Sequence, residues 1–236
     1  MTLVVDALAR IAREVSVSAP SSWVSATADE HVEIRDDFLA ATVADIADRV
    51  DLPFPVGGLT TITGTGVEDY ALPADFLRLQ RDPLAVYDIS QMRGCIPLTT
   101  DGQWVDMSTL GAAGASRYYA LSGYDGAYNI SFIDAPTSDI SIQYVSTAWM
   151  ATSGGTAGSM LTSETDVLLM PRRVVEAGTV WRWRERKGLP FDAKYNEYEA
   201  LLSRLSNDTR GRRIVNMGER KTVRWQDMIP AYIPAS

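Results

Sequence analysis

The hydrophobic period of this chain changes twice, and that limits the folds open to it more than any other feature. Near the N-terminal end, Val4, Leu8, Ile11 and Val15 recur at three- and four-residue spacing, as one face of an α-helix requires. Leu39, Val43, Ile46 and Val50 repeat the pattern, widened by Ile34 and Phe38. Toward the other end, Val174, Ala177 and Trp181 form a third stripe, and Tyr195, Tyr198, Leu201, Leu202 and Leu205 a fourth. Between them, from Thr60 onward, the chain is rich in Thr, Val, Ile, Tyr, Gly and Pro and alternates in short runs, as strands and turns do. The alternation predicts strands over residues 59–63, 76–81, 103–107, 117–122, 127–133 and 140–145. The clearest pair is 128–133 with 140–145, read as antiparallel neighbours joined by a turn over 134–139.

Local punctuation supports the helices. Thr27 with Glu30 three residues on forms a capping box, and Asp29 suits the positive end of the helix dipole. That helix ends before Pro53. Pro171 fits a first helical turn, Gly188 followed by Pro190 stops the helix, and Asp192 caps the next one. Ser163 with Asp166 predicts a capped helical turn over residues 167–170. Residues 16–26 form a loop that Trp23 anchors, and the Gly- and Ser-rich residues 151–161 form a second loop.

A run of helices, a run of strands and a further run of helices argue for α+β rather than α/β. The expected architecture is a helical bundle from the N- and C-terminal helices, with an inserted antiparallel β block and an extended C-terminal arm. The expected boundaries are 1–58 for the N-terminal helices, 59–150 for the insertion, 151–209 for the helical hairpin and 210–236 for the arm.

Charge separates the body from the arm. The net charge is −8, yet fourteen of the 22 Lys and Arg residues lie between Arg172 and Arg224. Within the arm, Arg210, Arg212, Arg213, Arg220, Lys221 and Arg224 face only Glu219 and Asp227. A basic arm on an acidic body points to an acidic partner, either a protein surface or nucleic acid. Trp225, Met228, Ile229, Tyr232 and Ile233 make its end apolar enough to be a docking segment that folds on binding.

Most chemistry is disfavoured. No apolar run approaches the roughly 18 to 20 residues needed to span a bilayer, so no membrane is expected. The first residues lack the basic and small-residue pattern of a signal peptide. One cysteine, Cys95, excludes an internal disulfide, and with one histidine, His31, it argues against a zinc site. No phosphate loop or nucleophile elbow is present, and no cofactor is expected. His31, the carboxylate pairs Asp29/Glu30 and Asp36/Asp37, and Cys95 near Arg93 read as surface or inert groups rather than catalytic ones. The sequence therefore predicts no enzyme.

In Trp181-Arg-Trp-Arg-Glu-Arg186, the two tryptophans fall roughly 200° apart on a helix. Trp181 is expected in the core. Trp183, with Arg182 and Arg186, is expected to meet the β block or a neighbouring subunit, because Trp and Arg dominate interface hot spots.

One combination of residues resembles a known family. A helical N-terminus leads into Gly64-Thr-Gly66 and then Tyr70-Ala-Leu72-Pro73-Ala-Asp75-Phe76. A β block follows, then a helix with Trp181-Arg-Trp183 and Lys187-Gly188, then a helix rich in Tyr, Glu and Leu. This resembles the head-to-tail adaptor, or connector, proteins of tailed bacteriophages, those of short-tailed phages in particular. The resemblance implies a structural virion protein at the head–tail junction, made in the host cytoplasm. It implies a homo-oligomeric ring, commonly a dodecamer, beneath the portal protein ring. Such a ring extends the DNA channel and meets a tail or nozzle protein, and packaged DNA passes through it. In that picture the arm reaches the portal or the DNA end. The alternative reading is a β-rich carbohydrate- or host-binding tail protein, based on Tyr118, Tyr119, Tyr124 and Tyr128 among glycines. Carboxylate-based hydrolysis is a third reading, without a base–nucleophile set to support it.

Overall fold

A computed structural model describes residues 2–52, 57–110, 117–124 and 126–209. Strand β1 (Thr2–Leu3) leads straight into helix α1 (Val4–Glu14), which buries Val4, Ala7, Leu8, Ile11 and Ala12. Residues 29–49 form one helical segment: α2 (Asp29–Val32), a π-helical stretch (Glu33–Phe38) and α3 (Leu39–Arg49). Ile34 and Leu39 are five apart, and the wider π turn leaves both fully buried. The segment starts without a side-chain cap; the Ala28 carbonyl accepts from the His31 and Val32 N–H groups, so the box expected from Thr27 and Glu30 is not made.

The middle of the chain supplies β2 (Gly57–Ile62), β3 (Asp69–Ala71), β4 (Phe76–Leu79), β5 (Val86–Asp88), β6 (Arg93–Gly94), β7 (Ile96–Pro97), helix α4 (Asp101–Leu110), β8 (Tyr118–Tyr124), β9 (Ala127–Phe132) and β10 (Ile140–Ser146). Short strands β11 (Met150–Ala151), β12 (Ala157–Gly158) and β13 (Val167–Leu168) precede helices α5 (Arg172–Arg186) and α6 (Asp192–Thr209). The strands form three sheets, ordered β1-β13-β11-β12, β2-β10-β5-β6 and β3-β9-β8-β7, with β4 also paired to β10. Every pairing is antiparallel except β7 with β8.

This corrects the expected plan of a helical bundle with an inserted antiparallel β block. Among the described residues, thirteen strands in three sheets stand against five helical segments. Strands also lie outside the supposed insertion: β1 precedes the first helix and pairs with β13, which follows the block. The helices do not close a core by themselves. Val145, Trp149, Met150, Leu168 and Met170, from strands and their connections, share one apolar cluster with α1, α3, α5 and α6. A second cluster, with Phe76, Val86, Phe132, Ile140 and Ile142, lies among the strands of the other two sheets.

Three local expectations change as well. Strands β9 and β10 are not a hairpin pair; β9 pairs with β3 and β8, whereas β10 pairs with β2, β4 and β5. Residues 103–107 lie in α4, not in a strand. Thr100 Oγ1 accepts the Gln103 N–H at 3.2 Å, and Gln103 Oε1 accepts the Thr99 N–H at 3.0 Å, so local capping opens a helix there. Residues 167–170 begin as strand β13 rather than a helical turn; Asp166 Oδ2 accepts from Thr162 N–H and Ser163 N–H and closes a turn instead.

The Tyr70-to-Phe76 segment is punctuation of the fold. Leu72 and Phe76 are buried, and the Phe76 N–H closes a turn on the Pro73 carbonyl at 2.9 Å. Asp75 accepts from Tyr144 Oη at 3.0 Å and Ser146 Oγ at 2.6 Å, so it fastens this turn to the end of β10. The Tyr144 ring lies over Gly58, where a Cβ would come within 2.1 Å of it. Burial and the Asp75 carboxylate push the Tyr144 phenol up to about 12, so it stays a donor.

Candidate functional site

The helical face is held by one polar joint. Helix α5 crosses α3 at Gly178, and a Cβ there would lie 2.4 Å from Thr42 Cγ2 and 2.8 Å from Tyr198 Cε2. That close approach brings Arg182 onto α3. Its guanidinium donates to Thr42 Oγ1 at 3.1 Å and to Asp45 Oδ2 at 3.0 Å. Tyr198 of α6 donates to the same Asp45 oxygen at 2.5 Å. Burial, then the Asp45 hydrogen bond and charge, raise the Tyr198 phenol far above its usual value, so it acts only as a donor. Arg49 grips Glu199 with two bonds of 2.7 and 2.6 Å, which holds the Glu199 carboxyl below its ordinary value. Three helices thus present a single fixed surface.

Both tryptophans meet the helical core, Trp183 more deeply than Trp181. Trp183 is buried in the helical core, and Trp181 is half-buried beneath Phe191, Tyr195 and Tyr198. Arg182 stacks on the Trp181 ring, its guanidinium carbon 4.5 Å from the centroid. Arg186 is exposed at the end of α5, close to Leu189 and Lys187, and Lys187 pairs with Glu33 at 2.9 Å. Of the three residues read as a subunit interface, Arg186 is the exposed one. The arm residues Arg210, Arg212, Arg213, Arg220, Lys221, Arg224, Trp225, Ile229 and Tyr232 lie outside the described residues.

The groups weighed for catalysis are not brought together. His31 Nε2 donates to the Ser18 carbonyl at 2.8 Å, and its ring meets Trp23 edge-on, which pins the loop before α2. Arg35 binds Asp36 and the carbonyls of Trp23 and Val24. Burial pushes the Cys95 thiol up to about 11, which makes it unreactive. Among the described residues no group of three His, Cys, Asp or Glu could hold a metal ion, and no helix is long and apolar enough to cross a membrane.

Four tyrosines read as a sugar platform are dispersed. Tyr119 is buried against Phe132, and Tyr128 packs on Phe76. Tyr124 is 78% exposed at the tip of the β8–β9 hairpin.

Sequence reasoning missed the buried pair that ties the second and third sheets together. Arg117, just before β8, donates from Nε to Asp88 Oδ2 of β5 at 3.1 Å, and from Nη1 to the Asp134 carbonyl. Asp88 also accepts from Ser90 N–H, Ser90 Oγ, Gln91 N–H and Ser138 Oγ. The one local sign was Asp88 two residues before Ser90, an Asx turn.

Leu59, Met92 and Tyr124 are among the exposed large side chains. In the comparison with protein families, the sequence model of the SU10 adaptor protein family matches residues 2–225. No curated protein matches the chain.

Proposed function

We propose that this chain, which belongs to the SU10 adaptor protein family, forms a ring beneath the portal of a short-tailed phage. The family match over residues 2–225 carries the reading, because it is consistent with a structural adaptor protein of a phage. Twelve copies close the ring through heterologous contacts, in which one flank of each copy meets the opposite flank of the next. The exposed Arg186 end of α5 belongs to one such flank. The ring extends the DNA channel and hands it on to a tail or nozzle protein.

The charge balance supports a conducting wall. Residues 2–52 and 57–151 each carry ten acids against four bases, and such a surface repels phosphates rather than holding DNA in transit. The basic arm is the counterpart, and its apolar end docks into an acidic groove of the portal. No step in this role requires bond making.

Truncation after Asn207 tests the arm. The full-length chain is expected to co-sediment with purified portal rings of the same phage, and the shortened chain to lose at least tenfold in apparent affinity. Equal binding by both would remove the arm from the docking role.

A further inference from the structure

Two of the three sheets begin and end together. The second runs β2-β10-β5-β6 and the third β3-β9-β8-β7. Their first edges, β2 and β3, border one groove of about 610 Å³, whose walls include Thr61, Ile62, Val67 and Tyr70. Their last edges, β6 and β7, follow each other in the chain with only Cys95 between them. Within each sheet two strands separate the first edge from the last, on the order of 14 Å at ordinary strand spacing. The groove and the β6–β7 edge are therefore opposite flanks of one β unit.

The two flanks differ in relief. The groove is concave, and Glu68 and Asp69 stand exposed at its rim. The other flank projects. The turn from β5 to β6 holds Met92 81% exposed with φ at 51°, a left-handed conformation that side-chain-bearing residues rarely adopt. Asp88 Oδ1 fixes that turn, accepting from Ser90 N–H at 3.0 Å, Ser90 Oγ at 2.8 Å and Gln91 N–H at 3.0 Å. Cys95 is buried in the core between the sheets, and around it Ile96 and Leu84 are exposed, with Leu84 against Gly94. Arg93 is exposed on the same edge; it is engaged within its own chain, and a guanidinium with five N–H donors serves several acceptors at once.

The projecting edge offers side chains rather than backbone. β6 is two residues long, and β7 ends in Pro97, which has no N–H to give to another strand. Methionine is unbranched and polarizable, and it fills irregular apolar gaps. Symmetry decides how two copies can use these surfaces. Groove on groove would set Glu68 and Asp69 of one copy against the same carboxylates of the other. Projection on projection would leave both grooves uncovered. A head-to-tail contact puts the projection into the groove and a base beside the two acids.

We infer that the groove is filled by a second copy of this chain. Met92, with Ile96 and Leu84 behind it, seats between β2 and β3 of the next copy, and Arg93 meets its Glu68 and Asp69. The contact repeats in one direction from copy to copy, as closure of a ring requires. The inference rests on the ring reading and names the surfaces that make the ring.

A chain carrying Thr61→Cys and Met92→Cys tests it, both alone and mixed with portal rings of the same phage. Cys95 stays in place, because it is buried and is the one native cysteine, so the unaltered chain is the control. Each double-variant copy then has one exposed cysteine on each flank. Oxidation is expected to give a ladder of covalent products beyond the dimer on a non-reducing gel, whereas each single variant stays monomeric. Monomers or dimers alone from the double variant would overturn the inference. Met92→Asp is expected to leave thermal unfolding unchanged and to cut the yield of complete rings at least tenfold; an unchanged yield would overturn it as well. Native mass spectrometry of the same mixtures separates the two readings. Twelve copies on each portal ring without a ladder would sink the groove contact and leave the adaptor ring standing. A ladder in solution with no copy on the portal would do the reverse, and no assembly of either kind would sink both.

Discussion

Replacing Arg117 with methionine lowers the unfolding free energy by roughly 3–5 kcal/mol, the range for stripping a buried charge of its partner. Asp88 is fully buried and the Arg117 side chain is 7% exposed, so water cannot take over the lost interaction. Methionine fills much of the volume but offers no donor to Asp88 or to the Asp134 carbonyl. Because Arg117 stands at the start of β8 and Asp88 ends β5, the loss loosens the contact between two sheets rather than a surface loop. The acid profile shifts too. Burial pushes the Asp88 carboxyl up, but Ser90, the Gln91 N–H and Arg117 outweigh burial and hold it below its ordinary value. A depressed folded-state value means that the unfolded chain binds the proton more readily. The stability Asp88 contributes is therefore present above the ordinary aspartate value near pH ~4 and is lost as pH falls through the folded-state value. Without Arg117 that loss begins at higher pH. Urea unfolding at pH 7, and at steps down to about pH 3, reads both effects. A loss under ~1 kcal/mol with an unchanged acid profile would show that the pair is not the brace described.

A second large effect is expected where α5 crosses α3. Alanine at Gly178 should destabilise the fold by about 1–3 kcal/mol despite the ~1 kcal/mol by which alanine favours a helix interior over glycine. The new carbon would meet Thr42 Cγ2 at 2.4 Å. Thr42 cannot swing away cheaply, because its hydroxyl donates to the Phe38 carbonyl at 2.7 Å and accepts from Arg182. The helices must separate, which stretches the Arg182–Asp45–Tyr198 joint. Gly102→Ala is the control: it lies in α4 with nothing within 4 Å of the added carbon, and it is expected to be neutral or stabilising. Thermal unfolding of the two variants distinguishes close helix packing from a plain propensity effect.

The local part of the fold was legible in the sequence. Gly188, with φ at 68°, ends α5 as a left-handed cap; its N–H reaches the Glu185 carbonyl and the Leu189 N–H reaches Arg184. That signal is written in four consecutive residues, and the apolar stripes of α1 and α6 lie within Val4–Val15 and Tyr195–Leu205. Pairing between strands is not local, so β9 and β10 looked like a hairpin although the link around Pro136 carries the chain to another sheet. Helix α4 has no apolar stripe, and its Thr100–Gln103 cap sits in a run that alternates like a strand. Helical spacing separates Trp181 from Trp183, yet both reach the core cluster, because α6 packs on Trp181 while Trp183 is buried among other members of that cluster. The Arg117–Asp88 pair spans 29 positions, and the Arg182–Asp45 pair spans 137, so no window of the sequence contained either site whole.

The family to which the chain belongs was legible from short motifs spread along it, and those motifs proved to be turns and anchors of the fold. The proposed docking role rests on the basic and aromatic residues that the sequence places in residues 210–236. Assembly is therefore the direct test. Native mass spectrometry of the full-length chain, mixed with the portal protein of the same phage, is expected to show twelve copies bound to each portal ring as one discrete species. A chain that stays monomeric beside intact portal rings would contradict the adaptor ring.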